Sequence, residues 1–149
     1  MEVTTIRVGV LGYGNVGKAL VDLIAEQREV ISARTGLDLT VDAIAVRNPE
    51  KYINCDIDPE IITDNAHDVV HSKNIDVVVE VIGGVDPSKN LVLAALNSGK
   101  PVVTANKELL AKYGPELFAC ADGQGLDLLF EAAVAGGVPL MRVLRESLK

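Results

Sequence analysis

The chain has 149 residues, 48% of them hydrophobic and 23% charged, with a net charge of −7. This fits one globular domain with a real core and excludes a disordered segment. It also speaks against a nucleic-acid surface, which needs clustered Lys and Arg and stacking aromatics, and against a membrane span, because no apolar run approaches about 18 residues.

The first segment, Ile6 to Leu11, reads as a buried strand. It runs directly into Gly12-Tyr13-Gly14-Asn15-Val16-Gly17, a G-x-G-x-x-G pattern. From Val16, apolar residues recur at Ala19, Leu20, Leu23, Ile24, Val30 and Ile31, which is one helical face, with Gly36 as its C-terminal cap. A glycine pattern between strand and helix is the context a dinucleotide site demands. Gly12 would allow the tight turn, Gly14 would let backbone approach a pyrophosphate, and Gly17 would let the helix pack closely on the strand. The first-turn N–H groups would then face the phosphates. The competing reading is a Gly-rich turn in another α/β protein.

Leu39 to Val46 reads as a second strand, broken by Arg47-Asn48-Pro49. Residues 50–60 are polar and irregular. Ile61-Ile62 suggests a short third strand, and Thr63 or Asp64 would cap a short helix ending near Ser72. Ile75 to Ile82 is nearly all apolar, as in a parallel strand buried on both faces. Gly83-Gly84 ends it. Asp86 would cap the next helix, with Pro87 at its first position, running to about Ser98. Pro101 to Thr104 is a short strand. A helix follows over about Asn106 to Asp122, with an interruption expected at Gly114-Pro115. Leu126 to Phe130 is the last strand, residues 135–139 form a loop, and Leu140 to Lys149 begins another helix. Strands and helices alternate throughout, so the fold class is α/β: a doubly wound parallel sheet, Rossmann-type, with strand order 3-2-1-4-5-6 and one domain in this chain.

Four positions carry candidate chemistry. At the tip of a second strand an acid selects a ribose hydroxyl, whereas an arginine accommodates a 2′-phosphate; here the tip is Ala45-Val46-Arg47, which points to NADP(H) or to dual use with NAD(H). Asp42 lies too early in the strand to reach the ribose. Gly83-Gly84 would line the ligand crevice at the carboxyl edge of the sheet, or be a simple turn. In Thr104-Ala105-Asn106-Lys107, the lysine stands at a helix N-terminus, where the macrodipole opposes it by about 0.3–1 kcal/mol. A lysine kept there suggests anion binding or proton donation; the alternative is an exposed surface lysine. Finally, Glu131 precedes a run of small residues whose carbonyls could converge on a hard cation. Its alternatives are a helix cap or a pair with Arg142, and the residues alone favour these. Cys55 and Cys120 lack metal or disulfide spacing and read as reduced thiols. His67 and His71 are an i, i+4 pair without an evident third ligand, so they read as a solvated face.

Taken together, the chain resembles the N-terminal domain of homoserine dehydrogenase. The resemblance rests on Val8 through Gly17, Val79-Glu80-Val81-Ile82-Gly83-Gly84, Val102-Val103-Thr104-Ala105-Asn106-Lys107 and Phe130 through Pro139. It covers essentially the whole chain and is weakest over residues 35–70. It implies reversible conversion of L-aspartate 4-semialdehyde and L-homoserine with NADPH or NADH, at the branch toward threonine, methionine and isoleucine. By the same resemblance, Lys107 is catalytic, near nicotinamide and substrate, and Arg47 contacts the 2′-phosphate. Gly12, Tyr13, Gly14, Asn15, Val16, Gly17, Gly83, Gly84, Thr104 and Lys107 form the rest of the cofactor site. The carbonyls of Val134, Gly136 and Val138, with Glu131 nearby, would hold a monovalent cation, typically sodium. A substrate and dimerisation domain is expected after residue 149, so the chain alone should be inactive and the whole protein a homodimer. The absence of a signal-peptide pattern makes the cytoplasm the expected location. Two other readings stay open: an aspartate dehydrogenase-like reductase, and a non-catalytic dinucleotide sensor.

Overall fold

The computed structural model describes residues 2–130. The loop expected at residues 135–139, the helix expected from Leu140, and the cation ligands Glu131, Val134, Gly136 and Val138 lie outside the described residues.

Six parallel strands form one sheet in the order β3-β2-β1-β4-β5-β6. They are β1 (Thr4–Leu11), β2 (Leu37–Ala45), β3 (Ile62–Thr63), β4 (Val77–Glu80), β5 (Val102–Thr104) and β6 (Leu128–Phe130). The helices are α1 (Asn15–Thr35), α2 (Ala66–His71), α3 (Ser88–Asn97) and α4 (Lys107–Gln124). Alternation along each strand divides the core. Val8, Val10, Val77, Val79 and Val103 face α1 and its buried Leu20, Ile24 and Ile31. Leu11, Val78, Val102 and Leu128 face the opposite layer, which α2, α3 and α4 build with Val69, Val70, Leu91, Leu96, Leu109 and Leu117. Each such aliphatic side chain contributes about 1.5–3 kcal/mol on burial. Helices on both faces explain why β4 is apolar at every position from Val77 to Val79 rather than at alternate ones. No helix among the described residues is long and apolar enough to cross a membrane.

The expected strand order is the observed one, and most differences are of boundary. Asp42 sits where the register of β2 against β1 jumps by one residue, between the Val8–Val41 and Gly9–Ala43 partners. Three expectations about helices need correction. Neither Thr63 nor Asp64 caps α2: Thr63 belongs to β3, and the Asn65 side chain accepts the His67 N–H at 3.1 Å. Asp86 does not cap α3, which begins at Ser88 with Pro87 in the cap position and no side-chain cap bond. The loop after β4 turns through two left-handed residues, Gly83 and Gly84, and this delays the helix. Lastly, α4 runs unbroken through Pro115. A proline disfavours helical geometry at the residue before it mainly through that residue's Cβ, and Gly114 has none. Burial of Leu109, Leu117 and Ala121 along one face then holds the helix continuous across the site of the lost N–H.

Candidate functional site

The site is built on the carboxyl ends of β1, β2, β4 and β5. Strand order reverses between β1 and β4, and a doubly wound sheet opens its ligand crevice at such a switch point. Here a cleft of about 660 Å³ is bordered by Gly12, Gly14, Arg47, Lys51, Gly83 and Pro87, among others.

The three glycines of the first loop differ in what they do. Gly12 has a φ of +104°, and a Cβ there would lie 3.0 Å from the Val81 carbonyl oxygen. Its N–H donates to the Ala45 carbonyl at 2.9 Å, tying the loop to β2. A Cβ on Gly17 would lie 2.5 Å from the Gly12 carbonyl oxygen, so this glycine sets how closely α1 packs on the loop. Gly14 is constrained by neither conformation nor packing. Its backbone is extended, at φ −77° and ψ −157°, and an added Cβ would meet nothing within 4 Å. The physical reason for glycine there is space kept open at the mouth of α1. That helix starts with no side-chain cap and no acidic residue in its first turn, so its leading N–H groups keep their donor capacity and positive field.

Tyr13 is nearly buried and packs edge-on against Tyr52, with ring centroids 5.4 Å apart. Burial pushes its phenol upward from the usual tyrosine range. Tyr52 closes the 3₁₀ turn Pro49–Tyr52, so this contact fixes that turn against the glycine loop. The turn carries Lys51, which borders the same cleft as Arg47 and Asn48. Both cations are exposed and neither forms an ion pair among the described residues. Sequence reasoning found Arg47 and missed Lys51. The signal was Asn48-Pro49, a helix-start pair that would fold residues 49–52 back beside Arg47.

A second group joins β4 to β5. Glu80 ends β4, pairs in register with Thr104 of β5, and is fully buried. One carboxyl oxygen accepts the Thr104 hydroxyl at 2.7 Å. The other accepts the Ile82 N–H at 2.9 Å, the Gly83 N–H at 3.3 Å and the Ser88 hydroxyl at 3.4 Å. Thr104 Oγ1 in turn accepts the Asn106 N–H at 3.0 Å. The Asn106 side chain caps α4 by accepting the Leu109 N–H at 3.0 Å, and its Nδ2 donates to the Gly84 carbonyl. Lys107, the first residue of α4, is exposed at the end of this chain of bonds.

One family model, described as the homoserine dehydrogenase NAD binding domain, matches residues 12–131. The chain belongs to this family. The homoserine dehydrogenase of Bacillus subtilis is 44% identical over 96% of this chain and 33% of its own length; that of Synechocystis is 35% identical over 97% and 33%. Among solved structures, a homoserine dehydrogenase from Thiobacillus denitrificans is 44% identical with a TM-score of 0.82, covering 99% of this chain and 34% of that one. A hyperthermophilic archaeal homoserine dehydrogenase solved in complex with NADPH is 25% identical with a TM-score of 0.70, covering 97% of this chain and 49% of that one. The chain thus spans about a third of the length of the curated relatives it matches.

In this domain the structure gathers Gly12, Tyr13, Gly14, Arg47 and Gly83 around one cleft. Asn15, Val16 and Gly17 form the first turn of α1 beside it. Thr104 is placed differently from a direct contact: it is fully buried, and its hydroxyl proton is committed to Glu80. The Gly83 N–H is likewise turned inward, whereas the Gly84 N–H has no partner among the described residues. His67 and His71 stack on the exposed side of α2, and His71 Nδ1 lies 3.0 Å from Ser98 Oγ. No group of three or more His, Cys, Asp or Glu gathers among the described residues.

Proposed function

We propose that this chain is the dinucleotide-binding part of a homoserine dehydrogenase, with NADP(H) favoured over NAD(H). The observation that carries this reading is the cleft itself. Gly14 leaves room for a pyrophosphate at the amino end of α1, while Arg47 stands just past the tip of β2, where an NAD-selective site places an acid, and Lys51 borders the same cleft from the turn that follows. The adenosine 2′-phosphate would sit against Arg47, with Lys51 adding charge. The pyrophosphate would lie across β1, and the nicotinamide would reach toward β4 and β5.

When bound, the nicotinamide supplies the hydride for reduction of L-aspartate 4-semialdehyde to L-homoserine, the step toward threonine, methionine and isoleucine. The work of this chain is to orient that ring and manage the proton. An aldehyde that gains a hydride at carbon must gain a proton at oxygen, and Lys107 is the assigned donor or relay. The family match disfavours an aspartate dehydrogenase-like reading. The remainder of the substrate site and a homodimer surface are assigned to the part of the protein that the relatives have and this chain does not span. A sodium site at Glu131, Val134, Gly136 and Val138 rests on the resemblance, and sodium dependence of turnover measures it.

Titration of the chain with NADPH and NADH, beside homoserine oxidation by the complete protein and by the chain alone, tests the reading. NADPH should bind more tightly, and only the complete protein should turn over. Binding without turnover by the complete protein would support a sensor instead.

A further inference from the structure

Glu80 is an unexpected residue at its position. It continues the face of β4 that carries Val78, beneath α3 and α4, and Thr104 continues the face of β5 that carries Val102. Burying a carboxylate costs several kcal/mol unless donors surround it, and apolar replacements of such groups are often neutral or stabilising. Two aliphatic side chains would therefore be the simpler filling. What Glu80 adds is connection: its four donors come from the β4–α3 loop, the first residue of α3 and the end of β5.

These bonds hold a particular shape. Gly83 and Gly84 both have positive φ, at +82° and +74°, and a Cβ on either would meet nothing within 4 Å. At these two glycines the loop is held by its hydrogen bonds, while Ile82 before them packs against the core. Glu80 holds the loop's entry, the single Ser88 hydroxyl proton is shared between Glu80 and the Gly83 carbonyl, each at 3.4 Å, and Asn106 Nδ2 holds the Gly84 carbonyl. The same Asn106 caps α4, whose first residue is Lys107. Arg47 follows β2 and this group follows β4 and β5, so two to three strand spacings of roughly 4.8 Å separate them across the sheet.

We propose that Glu80 is a positioning residue that fixes the Gly83–Gly84 loop and the amino end of α4 as one platform for the nicotinamide half of the dinucleotide. This rests on the dinucleotide reading above. Glu80 touches neither cofactor nor substrate; it acts through the loop and through Thr104.

The test uses the complete protein, with NADPH and 2′,5′-ADP as probes, the latter carrying only the adenosine end. Glu80→Gln keeps the volume but puts an amide NH2 in place of one of the two carboxyl oxygens, each of which now accepts. NADPH affinity should fall about 10-fold, the scale of one lost hydrogen-bonded support. Affinity for 2′,5′-ADP should stay within about twofold, and turnover should fall by up to roughly 10²-fold. Thr104→Val should repeat the pattern and Thr104→Ser should restore it, which keeps the idea testable if Glu80→Gln folds poorly. Parallel losses for both probes would make Glu80 merely structural, and unchanged NADPH binding and turnover would also overturn the proposal. A wild-type protein that fails to bind NADPH would instead sink the dinucleotide reading itself.

Discussion

Gly17→Ala and Gly14→Ser, made separately, should divide the glycine loop into a folding half and a binding half. A Cβ at position 17 would stand 2.5 Å from the Gly12 carbonyl oxygen, about 0.9 Å short of ordinary contact at 3.4 Å. The obstruction is backbone, and Gly12 is held by its N–H bond to Ala45, so little can yield. Overpacking of this kind costs about 1–3 kcal/mol, offset by up to about 1 kcal/mol from the better helix propensity of alanine. For a chain of this size each kcal/mol moves Tm by roughly 2–4 °C, so a net cost of about 1–2 kcal/mol in Gly17→Ala should lower Tm by roughly 2–8 °C. Gly14→Ser meets open space and places a favoured capping residue at the head of α1. Its Tm should be unchanged or rise by about 1–2 °C, while NADPH affinity falls at least about 10-fold. The serine side chain would occupy the phosphate's space and compete for the first-turn N–H groups. Thermal melts and NADPH titrations on both variants read this out. Wild-type NADPH binding by Gly14→Ser would refute the idea that position 14 is kept clear for a ligand. Wild-type stability of Gly17→Ala would show that the loop yields where the geometry says it cannot.

Arg47→Ala should weaken NADPH binding more than NADH binding; equal losses would remove its assignment to the 2′-phosphate. In the complete protein, Lys107→Ala should cut turnover by roughly 10²-fold or more with little change in Tm, because the side chain is exposed. An unchanged rate would leave Lys107 a surface lysine. Asp76 sits far from the site, bridging Arg7 through Nε at 3.0 Å and Nη2 at 2.9 Å at the amino end of the sheet. The hydrogen bond from Arg7 holds its carboxyl below the usual value of 3.8. A depressed carboxylate contributes stability above its unfolded pKa and loses it as pH falls through the folded one. Asp76→Asn should therefore lower Tm at neutral pH, with the gap to wild type closing under acid conditions below the usual carboxylate range. A gap of constant size would assign the effect to packing.

What could be read from the residues in order was whatever depends on neighbours along the chain. The alternation of apolar runs, the glycine spacing and Gly36 as a left-handed cap are all local, and each is present. Arg47 was legible because its place follows from where a strand ends. The misreadings have local causes too. Asp86-Pro87 carries a good capping signal, but the consecutive left-handed glycines before it consume the turn a cap would need. Pro115 looked like a break because a proline's cost is local, while the buried face of α4 that offsets it is tertiary.

The pairing of Glu80 with Thr104 was illegible for a deeper reason. Both appear in sequence as the polar ends of apolar strands, where polar residues need no explanation. Their meaning arises from register: residues 24 apart become direct partners only because β4 and β5 align Val78 with Val102. Shifting that alignment by one residue would turn one of the two side chains to the opposite face and leave a buried carboxyl without its hydroxyl donor. The pair therefore couples two requirements. It penalises every other register of the sheet's second half, and in the correct register it delivers the Gly83–Gly84 loop and the head of α4 to the same place. A single buried acid thus ties the accuracy of strand pairing to the accuracy of the site, so a variant that relaxes one should relax the other.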